Sequence, residues 1–119
     1  MMRLTVVLIL ILGISIPALA TAPDAPPTFL PAVERIIAIG DLHGDLDATR
    51  KVLLNVGIID QHDSWIAGKL VVVQTGDQLD RGDQEQELLE LLNKLQIEAD
   101  QQGGAVYLLN GNHELMNAR

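Results

Sequence analysis

Three short stretches concentrate the residue types that can do chemistry. "GDLHGD" places Asp41 and His43 one residue apart, "GDQLDRGD" carries Asp77, Asp80 and Arg81, and "GNHE" sets Asn112, His113 and Glu114 side by side. Carboxylate, imidazole and amide oxygen or nitrogen are ligands for divalent ions such as Mn²⁺, Fe²⁺ or Zn²⁺. In an extended segment Asp41 and His43 would point the same way. A carboxylate can bridge two cations, and Asp77 is the candidate for that. Arg81 carries a planar fork that can grip two phosphate oxygens at once. Asn112 offers a neutral carbonyl oxygen to a metal, which leaves His113 free for proton transfer if a carboxylate sets its tautomer and charge. Asp80 is the candidate for that carboxylate, and Glu114 is read as a brace for the turn. Taken singly, "GDLHGD" reads equally as a loop with a helix cap, and "DRGD" as a solvated charged turn.

What makes the three stretches one proposition is where each sits. Each follows a short, nearly continuous aliphatic run: Arg35–Ile39, Leu70–Gln74 and Ala105–Leu109. Such runs suit strands buried on both faces of a parallel sheet. Helical patterns fill the intervals. One starts at Asp45 with Leu46, Thr49, Leu53 and Val56 on a stripe and stops at Gly57. The other starts at Asp83, with Asp83 and Gln86 resembling a capping box, carries Leu88, Leu91, Leu92, Leu95 and Ala99, and closes at Gly103 and Gly104. "IIDQHDSWIAGK" reads as a connector, with His62 a solvated loop residue. The order strand–helix–strand–helix–strand predicts an α/β fold with parallel strands. The C-terminal ends of such strands share one edge, where α/β proteins bind ligands. All three polar turns therefore meet.

Composition narrows the partners. The chain has 119 residues, 8 Lys+Arg against 16 Asp+Glu, and a net charge of −8. So acidic a surface argues against nucleic acid, whose phosphates are held by Lys and Arg. With no cysteine, disulfides and thiolate metal sites are excluded, and any metal needs oxygen and nitrogen ligands. Residues 1–20 read as a secretory signal: Arg3, an apolar run from Leu4 to Ile16, then Ala18-Leu19-Ala20 as the cleavage pattern. The run is short for a membrane span of about 20 residues. Export to the periplasm or medium is expected, with no stable membrane anchor once the signal is cleaved. Residues 21–32 hold four of the five prolines and read as an extended linker, leaving 33–119 as the folded part.

Together, "GDLHG", "GDQLDRG" and "GNHE" resemble the three N-terminal motifs of the calcineurin-like metallophosphoesterases, in the version typical of phosphoprotein phosphatases. "VVVQTGDQLDRGDQE" with "GGAVYLLNGNHELMN" is most similar to the Shewanella-like protein phosphatase branch. The likeness runs from about Arg35 to Asn117. The related diadenosine-polyphosphate hydrolases usually lack the Asp-Arg-Gly of the second motif. The resemblance implies two divalent metal ions (Mn, Fe or Zn), with Asp41 and His43 on the first, Asp77 bridging, and Asn112 on the second. It implies that Arg81 binds the substrate phosphate and that His113, oriented by Asp80, protonates the leaving oxygen. The implied reaction is hydrolysis of a phosphomonoester, on a phosphoprotein or a small phosphoester, by in-line attack of a metal-bound hydroxide.

The resemblance also implies parts that lie beyond this sequence. Members of the family supply two more histidine ligands, usually with a second phosphate-binding arginine, after the third motif. Their fold is a two-sheet sandwich flanked by helices, a four-layer α/β/β/α arrangement. His62 matches none of those ligand positions. Residues 33–119 are accordingly expected to be the N-terminal part of such a domain, a βαβαβ half inactive alone and with one sheet face open. The alternative reading is a truncated, non-catalytic module that binds a metal or a partner.

Overall fold

The computed structural model describes residues 28–119. The signal read over 1–20, and the linker as far as residue 27, lie outside the described residues. Residues 28–35 contain no helix or strand, and Pro31–Arg119 form one compact unit.

Within that unit the order is β1 (Ile36–Ile39), α1 (Leu46–Asn55), β2 (Val71–Gln74), α2 (Glu85–Gln101), β3 (Ala105–Leu108) and α3 (Asn112–Asn117). The strands form one parallel sheet in the order β1-β2-β3. Each new strand adds on the same side of the last, so crossovers of one hand place both connecting helices on one face. The register puts Ile37, Val72 and Val106 in one row and Ile39, Gln74 and Leu108 in the next. These rows meet Leu46 and Leu53 of α1 and Leu88, Leu91, Leu92, Leu95 and Ala99 of α2 in one core. The alternate rows face away from the helices, and there Ile36 is 57% exposed. Strand β1 is thus covered on one face and not on both as its composition suggests, with Ile36 and Ala38 exposed, whereas Val71 of β2, in the row of Ile36, is buried.

The helix boundaries follow local chemistry. Asp45 caps α1, its side chain accepting a bond from the Ala48 N–H. Gly57 then takes a positive φ of 73°, as the residue after a helix often does. Val56, expected on the buried stripe, is the C-cap and stands exposed. For α2 the expected Asp83–Gln86 box does not form: the helix begins at Glu85, and Gln84 caps it with no side-chain bond. The Glu85 carboxylate instead accepts from the Asp80 backbone N–H, which draws the helix start toward the second turn.

The connector contributes more than its polarity suggests. Ile58, Ile59 and Trp65 are all but fully buried in the core. Trp65 is held at both ends, its indole N–H on Gly68 O at 3.0 Å and its backbone N–H on a Glu98 carboxylate oxygen at 2.7 Å. His62 lies 87% exposed in side chain, as a loop histidine should.

Candidate metal centre

All three polar turns lie at the C-terminal edge of the sheet, and hydrogen bonds stitch them together. The backbone carbonyl of Asp77 accepts from the N–H groups of Leu42 and His43, both at 3.0 Å, and Gln78 O accepts from Gly44 at 2.8 Å. The third turn is tied on by Glu114. Its carboxylate accepts from Gly111, Asp77 and Gln78, each at 2.7 Å, and from Leu79 at 3.2 Å. Burial raises the Glu114 pKa, but these four backbone bonds outweigh it and pull the group down to about 2. Glu114 is the brace that the sequence suggests.

The fit is close enough to dictate residue type. Gly76 has φ +106°, and a Cβ there would overlap the Gly111 backbone. A Cβ on Gly111 would in turn overlap the Asp77 carboxylate. Five non-glycine residues among those described have positive φ, and four of them are His43, Asp77, Asp80 and Arg81. His43 at φ +47° is therefore in a left-handed turn, not the extended segment that the Asp-x-His spacing suggests. Backbone held in this sparsely populated region concentrates at functional sites.

Inside this frame, His43, Asp77 and His113 each offer a ligand atom, all within 4.8 Å of one another. The two imidazole rings meet edge to face with centroids 4.8 Å apart. His43 Nδ1 lies 3.0 Å from Leu79 O. A carbonyl can only accept, so Nδ1 carries a proton and Nε2 is the nitrogen left to face the site. That Nε2 is buried and has no hydrogen-bond partner. It faces Asp41 Oδ2 at 3.4 Å, so two acceptors look at each other and need a cation or a proton between them. An orphaned imidazole lone pair, fixed by a carbonyl on its other nitrogen, is the arrangement that metal-binding histidines adopt. The donor set fits a divalent ion.

His113 is held in the complementary way. Its Nδ1–H donates to Asp80 Oδ2 at 2.8 Å, and its backbone N–H donates to Asp77 Oδ1 at 3.0 Å. The His113 bond is the main cause that lowers the Asp80 pKa; desolvation opposes it, and the Asn117 amide, also on Oδ2, adds to it. Asp41 stands at the rim, its carboxylate 62% exposed. Asn112 opens α3 and is exposed, as is Arg81. Neither side chain takes part in a hydrogen bond or ion pair among the described residues. The structure therefore brings His43, Asp77 and His113 together, with Asp41 facing His43 from the rim, Asp80 bonded to His113, and Arg81 and Asn112 on the surrounding turns. His113, read from the sequence as a proton carrier alone, also belongs to the metal-capable group. Two residues the sequence reading passed over are Gln74 and Gln78, both buried beneath the site. A polar side chain closing the apolar run "VVVQ" was the available signal.

A parallel sheet that presents a carboxylate–imidazole cluster and its braces at one edge defines an α/β protein with a candidate metal centre. The profile of the family described as "Calcineurin-like phosphoesterase" matches residues 34–119, and the chain belongs to that family. It is 51% identical over 84 residues to "Shewanella-like protein phosphatase 2" of Arabidopsis thaliana, covering 71% of this chain and 22% of that protein. To "Shewanella-like protein phosphatase 1" of Plasmodium berghei (strain Anka) it is 41% identical over 83 residues, covering 70% and 23%. Among solved structures, the cold-active protein-tyrosine phosphatase of a psychrophilic Shewanella species superposes with a TM-score of 0.66 at 41% identity, over 68% of this chain and 24% of that one. The chain thus spans about a quarter of the length of the relatives it matches.

Proposed function

We propose that this chain carries the first part of the active site of a metal-dependent phosphomonoester hydrolase of protein-phosphatase type. The observation that carries the reading is the buried, partnerless His43 Nε2, facing Asp41 and clustered with Asp77 and His113. Family membership and the phosphatase names of the relatives support it.

In this reading Asp41, His43, Asp77 and Asn112 would hold the divalent ions, Asp41 and His43 one, Asn112 a second, and Asp77 both. Bound there, such ions supply Lewis acidity to phosphoryl oxygens and acidify water. The rest is done by the protein's own groups. Arg81, unpaired among the described residues, binds phosphate oxygens through its fork. Asp80 accepts the Nδ1–H of His113 and so turns Nε2 toward the site; a second proton carried on Nε2 is the one delivered to the leaving oxygen. The backbone bonds of Glu114 keep His113 and Asp77 in register, so the proton-carrying and ligand groups approach a substrate together. The substrate class is a phosphoprotein or small phosphoester, and Mn, Fe and Zn all suit the donor set.

The test is His113→Asn in the full-length protein, with metal content measured alongside turnover of an aryl phosphate. Turnover should fall by about 10²–10⁴-fold with metal retained. Loss of metal in step with activity would make His113 a ligand and not the proton carrier. One ion bound by the unsubstituted protein, with no turnover, would favour a non-catalytic metal-binding module instead. Export is a companion proposal, resting on the Leu4–Ile16 run and Ala18-Leu19-Ala20. A product recovered from the cytoplasm with Met1 intact would refute it.

A further inference from the structure

The groups that converge at the edge stand on three different turns, and β1 and β3 are not neighbours in the sheet. The sheet's ladder bonds therefore do not join the first and third turns directly; each turn is tied to the second, across the gap between them. Two buried amides span it. Gln74 ends β2 on the helix-covered face and is 1% exposed, in an apolar layer where an amide is costly unless its bonds are made. They are all made. Its Nε2 donates to Gly40 O at 3.1 Å and Gly76 O at 2.7 Å, and its Oε1 accepts from Gly76 N at 3.0 Å and from Gln78 Nε2. The other Nε2 proton of Gln78 goes to Leu109 O at 2.9 Å. The chain of bonds thus runs from Gly40, just before Asp41, through Gly76, just before Asp77, to Leu109 at the end of β3.

We infer that the Gln74–Gln78 amide pair is a positioning element for the metal centre, a hydrogen-bonded crossbar holding the ends of β1, β2 and β3 at the separation where His43, Asp77 and His113 converge. The inference rests on the metal-dependent reading above. Neither side chain touches the site, so each acts through backbone carbonyls that precede the ligands. Carbonyls carry no side-chain identity, and a donor of the right reach sets their spacing beside the backbone bonds and the Glu114 carboxylate that also join the turns.

The experiment uses the full-length, metal-depleted protein with Mn²⁺ alone as probe. Mn²⁺ affinity is read by calorimetry, and thermal unfolding is followed separately in chelator. Gln78→Met keeps the volume and removes both donated bonds; Gln78→Asn keeps the amide but is one methylene short. Both should bind Mn²⁺ about 10–100-fold more weakly, the range seen when residues behind metal ligands are changed. A role in general stability alone predicts something else: a lower melting temperature in chelator, with Mn²⁺ affinity of the folded protein within about twofold of the original. That result would overturn the inference. If Gln78→Met does not fold, Gln78→Asn decides on the same criterion. Failure of the unsubstituted protein to bind Mn²⁺ would instead sink the metal-centre reading, which keeps the two failures apart.

Discussion

At Arg81 the demands of backbone and site oppose each other. Its φ of +79° is a conformation that costs an L-residue about 1–2 kcal/mol, and glycine would adopt it freely. Arg81→Gly should therefore raise stability by about 1 kcal/mol in urea unfolding while sharply raising the Michaelis constant for a phosphoester. A variant that is stabilised with unchanged substrate affinity would remove Arg81 from phosphate binding. Glu114 poses the converse case. Its folded pKa of about 2 lies below the ordinary value of 4.5, so the carboxylate contributes stability above about pH 4.5 and loses it as the pH falls toward 2. Glu114→Gln keeps one acceptor oxygen and points an NH₂ at backbone donors. It should cost about 2–4 kcal/mol near neutrality, and its unfolding midpoint should change less across that acid window than the unsubstituted protein's.

The next scale up is the strand-to-turn unit, repeated three times. Each strand is only four residues long, and the turns past their ends lock into each other more than into the sheet. Gly76 makes the tightest approach of backbone to backbone among them. Gly76→Ala would bring both a disfavoured φ and an overlap with Gly111, separating the second turn from the third. The expected result is a loss of about 3 kcal/mol or more, with metal affinity falling even under conditions where the fold persists. Gly57→Ala offers the control: it has a comparable positive φ of 73° and nothing near its added methyl, so it should cost only about 1 kcal/mol and leave metal binding unchanged. Equal loss of metal binding in both would show that strain alone, and not the docking of turns, governs the site.

At the scale of the described residues together, α1 and α2 form one layer over one face of a three-stranded sheet. Stability should therefore come from a single interface. Leu95 is 1% exposed in its centre, and Leu95→Ala should cost about 2–5 kcal/mol. Ile97, two positions on along the same helix, is 53% exposed, and Ile97→Ala should stay within about 0.5 kcal/mol. Chemical denaturation of the pair measures the contrast; equal costs would mean that the outer side of α2 is also covered in solution.

Much of this architecture was open to sequence reading because periodicity and turn chemistry are local. Leu88, Leu91, Leu92, Leu95 and Ala99 repeat at helical spacing, and that spacing alone put them on the buried stripe they occupy. The same holds for Asp45 as a cap and Gly57 as a stop. Three aliphatic runs ending in polar turns imply a parallel sheet with a common edge, so Asp41, His43, Asp77, Asp80, Arg81, Asn112 and His113 could be assigned to one edge before any coordinates; that His43, Asp77 and His113 lie nearest one another could not. Other features depended on contacts between segments distant in the chain. No spacing rule foretells that Glu85 turns back to Asp80 and displaces the expected cap, or that Ile58, Ile59 and Trp65 enter the core from a polar connector. Nor does it foretell that Gln74 and Gln78 link three strand ends, or that His43 Nδ1 finds the carbonyl of Leu79. Residue order specifies which groups are carried and how each segment prefers to bend. Which lone pair is left facing inward depends on where a remote backbone carbonyl comes to rest, and only the packed chain decides that.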